Sequence, residues 1–392
     1  MTIPLDGAKS PPKEEPRRAL SRCKRVVVKL GTAVVLNANG KLNGELLFSL
    51  AHQMLQLRKQ GIEVVLVSSG AVGLGRKLVR ERGDSLAEKQ ALAAIGQVEL
   101  MKTWGQIFGM LDVPVAQILL TREDLEARSR YLNARNTVST LLQFQVLPVF
   151  NENDSLATAE IRFGDNDILA CLVGALCDSD LVVNLTQSRG LLNLTGPVEE
   201  LVSVVHEIND DITGLVQQTT SSGGTGGMAS KLDAARVATE CGIPMVIARA
   251  AERDVLTRLL AGEDLGTLFV PSKRRLRNRK RWLLTGGRPK GRLFLDAGAA
   301  RAVVHRGGSL LAVGVHRLEG VFGDGELVSL CDEHGTELAR GLSNYDSREL
   351  TLLRGRSSAD FESLLGYKGP EEIIHRDHLL VRKSPGKDTT HE

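Results

Sequence analysis

The sequence predicts an α/β fold, a three-layer sandwich around a mainly parallel sheet, followed by a small, mainly β domain. Three observations predict it. At 392 residues the chain exceeds what one hydrophobic core usually organises, so two domains are expected. Between Arg25 and about Val270, short apolar runs alternate with longer amphipathic segments, the rhythm of parallel strands joined by crossover helices. Beyond residue 290 the texture changes to short alternating runs between glycine-rich turns, which suits a compact β domain.

The elements follow in order. Residues 1–24 combine Pro4, Pro11, Pro12 and Pro16 with mixed charge and no apolar signal segment, and read as a disordered tail. The α/β domain is expected over 25–272, with strands at 25–30, 63–68, 113–119, 145–151, 180–185 and 244–248. Several are unbroken Val/Ile/Leu runs, as strands covered on both faces should be. Helices are expected at 45–60, 86–110, 132–144, 166–177 and 228–240; in the first, Leu46, Leu47, Leu50, Met54 and Leu57 recur at helical spacing. Residues 273–290 are basic and then rich in glycine and proline, and without interleaved aromatic rings they read as a linker. The β domain is expected over 291–370 with one short helix near 297–306, leaving 371–392 as a C-terminal tail.

Composition narrows the function. No apolar run approaches the roughly 18 residues of a membrane span. The net charge of +3, from 50 basic and 47 acidic residues, points to no nucleic-acid or membrane partner. Five scattered cysteines without a CxxC pair suit reduced thiols in a cytoplasm, and neither a disulfide framework nor a zinc site. The chain lacks a GxxxxGK[ST] loop, HExxH and GxSxG, and only His52 and His206 fall in the α/β region. A histidine-based hydrolase or metal enzyme therefore has little to work with. GTGGMA loosely fits a dinucleotide fingerprint but follows a polar stretch where that motif needs a strand.

Lysines, glycines and carboxylates at strand ends remain. Lys29 lies in an apolar strand that runs into a Gly-Thr turn; it either emerges beside an anion or snorkels at a strand edge. Ser68-Ser69-Gly70-Ala71 follows a buried strand and opens a helix, which makes an anion-binding turn or simply a tight one. FNENDS ends another strand with Asn151, Glu152, Asn153 and Asp154, and FGDNDILA then opens a helix with Asp165, Asn166 and Asp167. One of these acids is a cap, but two such clusters exceed what capping requires and suit a grip on an ammonium group or on lysines around phosphates. Finally, GGTGGMASK places Thr225, Gly226, Gly227, Met228, Ala229 and Ser230 before Lys231 at a helix start, where amides can cradle phosphate. Two lysines, two glycine-lined turns and two acid/amide clusters suit phosphoryl transfer by positioning and charge neutralisation.

VVVKLGT, LVSSGAVGLG, ALAAIGQ, QILLTREDL, YLNARNT, LPVFNENDS, FGDNDILA, GTGGMASKLDAA and NRKRW occur in this order over residues 25–365. Together they resemble the amino acid kinase family, and within it the branch that phosphorylates glutamate. The C-terminal part resembles a PUA domain. The resemblance implies ATP, Mg²⁺ and L-glutamate as reactants and L-glutamyl 5-phosphate as product, in the first step of proline synthesis. By motif position it implies that Lys29 and Lys231 neutralise the transferred phosphoryl group and that Asp167 orients both. Ser69, Gly70, Asp154, Asp165 and Asn166 would hold glutamate. Lys29, Thr186, Gln187 and the segment from Thr225 to Lys231 would line the nucleotide, with no protein metal ligand. Feedback by proline and a homo-oligomer, dimer or tetramer, are implied as well. In one place the chain departs from the family: where Thr-Asp and later Gly-Leu-Tyr are usual, it has Thr186-Gln187 and Gly190-Leu191-Leu192. The rival readings are another acyl-phosphate kinase and, from the PUA-like part and the basic linker, an RNA-binding protein.

Overall fold

The computed structural model describes residues 16–79, 85–156, 166–193, 199–217, 227–271 and 289–381. Its chain divides into two compact units. Met1–Leu119, Thr140–Thr239 and Ile243–Ser272 belong to the first, and Leu120–Ser139, Glu240–Gly242 and Lys273–Glu392 to the second.

The N-terminal strands are β1 (Arg25–Leu30), β2 (Glu63–Ser68), β3 (Val115–Leu120), β4 (Leu147–Glu152) and β5 (Leu181–Thr186). After the small ribbon of β6 (Leu192–Asn193) and β7 (Glu200–Leu201) come β8 (Val204–Val205), β9 (Met245–Arg249) and β10 (Thr267–Phe269). Eight of them form one sheet in the order β3-β4-β2-β1-β5-β9-β10-β8. Strand β1 at its centre pairs in parallel with β2 and β5, whereas β10 runs antiparallel to β9 and parallel to β8.

Helices α1 (Thr32–Val35), α2 (Gly44–Lys59), α3 (Ala71–Val79) and α4 (Leu86–Gly109) alternate with the first strands. They are followed by α5 (Arg122–Glu126), α6 (Arg128–Gln143), α7 (Asn166–Leu176), α8 (Asp210–Gln217), α9 (Met228–Glu240) and α10 (Val255–Leu260). Val26, Val28 and Leu30 of β1 join one core with Leu47 and Leu57 of α2 and with Trp104 and Phe108 of α4. The intervening Val27, and Val65 and Val67 of β2, are equally buried, and α7 packs against β1, β2, β4 and β5. Burial on both faces is why these strands show no alternation, and each such side chain contributes about 1.5–3 kcal/mol. Trp104 is fully buried, and its indole N–H is satisfied by Ser68 Oγ at 3.0 Å.

The structure departs from expectation at the N-terminus. Residues 1–15 lie outside the described residues, but Arg18–Arg22 make a 3₁₀ turn, Leu20 enters the core and Arg17 is buried. The Arg17 guanidinium donates to the carbonyls of Ser203, Glu263, Leu265 and Gly266 and pairs with Asp264 at 2.9 Å. A run that composition marks as tail is thus tied down by one side chain with enough acceptors. The strands β8 and β10, of two and three residues, are too short to show a period and escaped sequence reading.

In the second unit β11 (Gly291–Leu295), β12 (Val315–Gly320), β13 (Leu327–Cys331), β14 (Glu337–Leu342) and β15 (Leu379–Val381) form a sheet ordered β12-β11-β13-β14-β15. The expected helix is α11 (Ala297–Arg306), opened by an Asp296 cap that accepts from Ala299 N at 2.7 Å and closed by left-handed Gly307. Two further short helices, α12 (Ser347–Leu353) and α13 (Phe361–Leu365), were not anticipated. The unit also runs past residue 370. Ile373 and Ile374 are fully buried in its core, and β15 pairs with β14. Two apolar residues between acidic and histidine neighbours are too brief a signal to separate this stretch from a tail. The expected linker lies outside the described residues over 273–288, as do 382–392 at the C-terminus. No described helix is long and apolar enough to cross a membrane.

Candidate functional site

The carboxyl ends of the parallel strands converge on one region, where open α/β sheets hold their ligands. Lys29, the penultimate residue of β1, is 3% exposed, and Asp167 in the first turn of α7 is fully buried. A helix start favours a carboxylate there. Asp167 Oδ1 pairs with Lys29 Nζ and accepts from Asn184 Nδ2 at 2.9 Å. Its Oδ2 takes Lys231 Nζ of α9 at 3.2 Å and the Ser230 hydroxyl at 3.4 Å. One carboxylate therefore gathers two ammonium groups that lie 202 positions apart in sequence.

Burial alone would raise the pKa of Asp167. Lys29 and then Lys231 outweigh it, helped by hydrogen bonds from Lys29 and Asn184, and hold it below the usual carboxylate range. At neutral pH the cluster carries two positive charges against one negative, so its surplus suits an anion.

That surplus faces a cavity of about 970 Å³. Lys29, Lys231, Ser69, Gly70, Asp154 and Asn166 line it, and Thr186 and Gln187 line it further along. Asn166 Nδ2 donates to Ser69 Oγ at 2.8 Å and to Asn151 Oδ1 at 2.7 Å. Asn151 in turn donates to Gln97 Oε1 at 2.8 Å, so three amides and a hydroxyl form one network along the wall. Asn166 Oδ1 is buried and accepts no hydrogen bond among the described residues, which leaves it suited to a donor such as an ammonium. Gly70 adopts φ +114°, and the left-handed turn it allows brings Ser69 and the start of α3 to the cavity.

At the other end, Ala250 N donates to Thr186 O at 2.8 Å and Arg249 Nε to Gln187 O at 3.1 Å. The Gln187 side chain donates to Ala33 O at 3.1 Å, a bond that a carboxylate at this position could not make. Gly227 precedes α9, and Met228, Ala229 and Ser230 form its first turn. Asp165, Thr225 and Gly226 lie outside the described residues.

Sequence reading missed Asn184, Gln97, Arg76 and Lys89. A buried amide in the apolar run of β5 was the signal for Asn184. Arg76 and Lys89 looked like ordinary helical cations, yet both line the cavity. The reason is tertiary. A Cβ on Gly75 would lie 1.9 Å from Leu92 O, and one on Gly96 would lie 1.8 Å from Ala71 O. Helices α3 and α4 therefore pack backbone against backbone, carrying Arg76 and Lys89 to the cavity wall and Gln97 to the side chain of Asn151.

Comparison with known proteins adds the following. A family model described as the amino acid kinase family matches residues 24–249, and one described as the PUA domain matches 291–365. The chain is 43% identical over 370 residues to the glutamate 5-kinase of Trichlorobacter lovleyi, spanning 93% of this chain and 98% of that protein. It is 43% identical over 372 residues to that of Moorella thermoacetica, spanning 94% and 98%. To the glutamate 5-kinase of Dictyoglomus turgidum it is 41% identical over 369 residues, spanning 92% and 98%.

Proposed function

Given that this chain belongs to the amino acid kinase family, we propose that Lys29, Lys231 and Asp167 carry out its reaction, the ATP-dependent phosphorylation of glutamate on the side-chain carboxylate. The observation that supports this assignment is the buried Asp167 carboxylate gripping both ammonium groups at the wall of one cavity.

The nucleophile is the substrate's own γ-carboxylate, ionised at neutral pH, so no general base is required. Phosphoryl transfer then asks for alignment and for neutralisation of charge on the equatorial oxygens. Lys29 and Lys231 supply the positive charge, and Asp167 fixes where their nitrogens sit. Ser69, Gly70, Asp154, Asp165 and Asn166 hold glutamate; Thr186, Gln187 and the segment from Thr225 to Lys231 line ATP. Mg²⁺ enters as the ATP complex. When bound with ATP, Mg²⁺ would be held chiefly by phosphate oxygens, with few protein ligands. The product is L-glutamyl 5-phosphate, and the place of the reaction is the first step of proline synthesis. A cytoplasmic homo-oligomer inhibited by proline at or near the glutamate site completes the proposal, on the strength of the likeness to the glutamate 5-kinases.

Incubation with ATP, Mg²⁺ and glutamate in the presence of hydroxylamine tests the reaction. A hydroxamate formed from glutamate in preference to aspartate or N-acetylglutamate is expected. A hydroxamate from either rival substrate and none from glutamate would overturn it.

A further inference from the structure

We propose that Gln97, acting through Asn151 and Asn166, is a positioning residue for the substrate. It locks the direction of a hydrogen-bond chain that leaves the Ser69 hydroxyl as a donor to a substrate carboxylate. The inference rests on the proposed function and deepens it.

A side-chain amide has a donating end and an accepting end, so linked amides have a direction, and one fixed donor sets it. Here that donor is backbone. Glu152 N–H donates to Asn151 Oδ1 at 2.9 Å, and a backbone N–H has no accepting end to offer instead. Asn151, 3% exposed, therefore turns its Nδ2 the other way, where it donates to Gln97 Oε1 at 2.8 Å. The Asn151 oxygen also accepts from Asn166 Nδ2 at 2.7 Å, and that same nitrogen donates to Ser69 Oγ at 2.8 Å. Ser69 Oγ is thus an acceptor towards the protein, and Ser69 lines the cavity, so its own proton is left for a ligand. A hydroxyl held in this sense suits an anion. Were the amides reversed, Ser69 would donate to Asn166 and present only lone pairs to the cavity.

Packing puts Gln97 where it can do this. Gly96 is the point at which α4 meets the turn after β2: a Cβ there would lie 1.8 Å from the carbonyl of Ala71, which closely follows Ser69. Gln97 comes directly after that contact, and further along α4 Trp104 donates to Ser68 Oγ at 3.0 Å. Helix α4 is thus tied on both sides of Gln97 to the segment that carries Ser69. Without an acceptor at position 97, the buried Asn151 Nδ2 loses its partner and the two orientations of the Asn151 amide come closer in energy. When that amide turns, Asn166 turns with it, and the sense of the Ser69 hydroxyl is lost. What the chain requires at position 97 is an acceptor, and a carboxylate supplies one as an amide oxygen does.

Variants that separate the acceptor from the bulk of the side chain test this. Gln97→Met keeps the length and removes the acceptor. It should raise the KM for glutamate on the order of 10-fold and leave the KM for ATP at its wild-type value. Gln97→Glu keeps an acceptor and should recover most of the affinity. A double-mutant cycle then shows whether the effect passes through Ser69. Ser69→Ala should raise the KM for glutamate by itself, and adding Gln97→Met to it should cost little more. Thermal melting of each variant separates misfolding from this effect, and Gln97→Ala carries the same expectation if the methionine variant does not fold. A wild-type KM for glutamate in Gln97→Met, equal defects in the methionine and glutamate variants, or losses that simply multiply in the double mutant would each overturn the inference. Failure of wild-type enzyme to form a hydroxamate from glutamate would instead remove the reading beneath it.

Discussion

Arg17 and the pair Lys29 and Lys231 are all withdrawn from solvent in the first unit, yet their surroundings differ in kind. Arg17 points its guanidinium into a ring of carbonyls, at 2.8 Å from Ser203 O and Gly266 O and 2.9 Å from Leu265 O. Burial lowers its pKa and Asp264 partly offsets that. Its neighbours are the chain's own acceptors, and it joins the N-terminal segment to the loop before β10. The two lysines share one carboxylate and line a cavity. A buried cation surrounded by backbone holds the fold, whereas buried cations that converge on one carboxylate at a cavity wall are placed for an incoming anion.

The sharpest way to break this contrast is to remove one charge from each region. Lys231→Ala should lower kcat by on the order of 10²–10³-fold, because a donor aimed at developing charge is lost, while the far-UV spectrum stays native. Near-normal turnover would end its assignment to the phosphoryl group. Arg17→Ala should act in the opposite sense. The fold loses about 2–4 kcal/mol, read as a lower denaturant midpoint, as several carbonyls are left without their donor. At temperatures where the variant stays folded, its KM for glutamate should match wild type. A selective kinetic defect without destabilisation would erase the distinction between the two regions.

Acid sharpens it further, with the smallest effect. The folded-state pKa of Asp167 is depressed, so its contribution to stability is full above the unfolded value of about 3.9 and is lost as pH falls through the folded value below that. The stability gap between wild type and Asp167→Asn should therefore be constant from neutral pH down to about 5 and narrow below about 4. Denaturant titrations across that range measure it, and a gap independent of pH would mean that Asp167 does not ionise between the lysines.

Some of this was legible without coordinates. Unbroken apolar runs such as RVVVKL and EVVLVS marked strands buried on both faces, and a lysine in the first, with acids at the start of α7, marked groups that cannot be buried idly. Local chemistry carries such signals because burying a charge is costly wherever it happens. Other features had no local signature. Asn184 is an amide inside a strand, and Arg76 and Lys89 are helical cations of the commonest kind.

What the amino-acid order determined by itself was the α/β layering, the β character of the C-terminal unit and the residue types that make an anion site, since periodicity and desolvation act over a few neighbours. Tertiary structure alone decided which of them meet. Strand order set β1 beside β5, so Lys29 and Asn184 share Asp167, and the glycine-to-backbone contact of α3 with α4 turned two surface-like cations towards a cavity. Such meetings depend on close approach between segments distant in sequence, and no short window of residues encodes that distance.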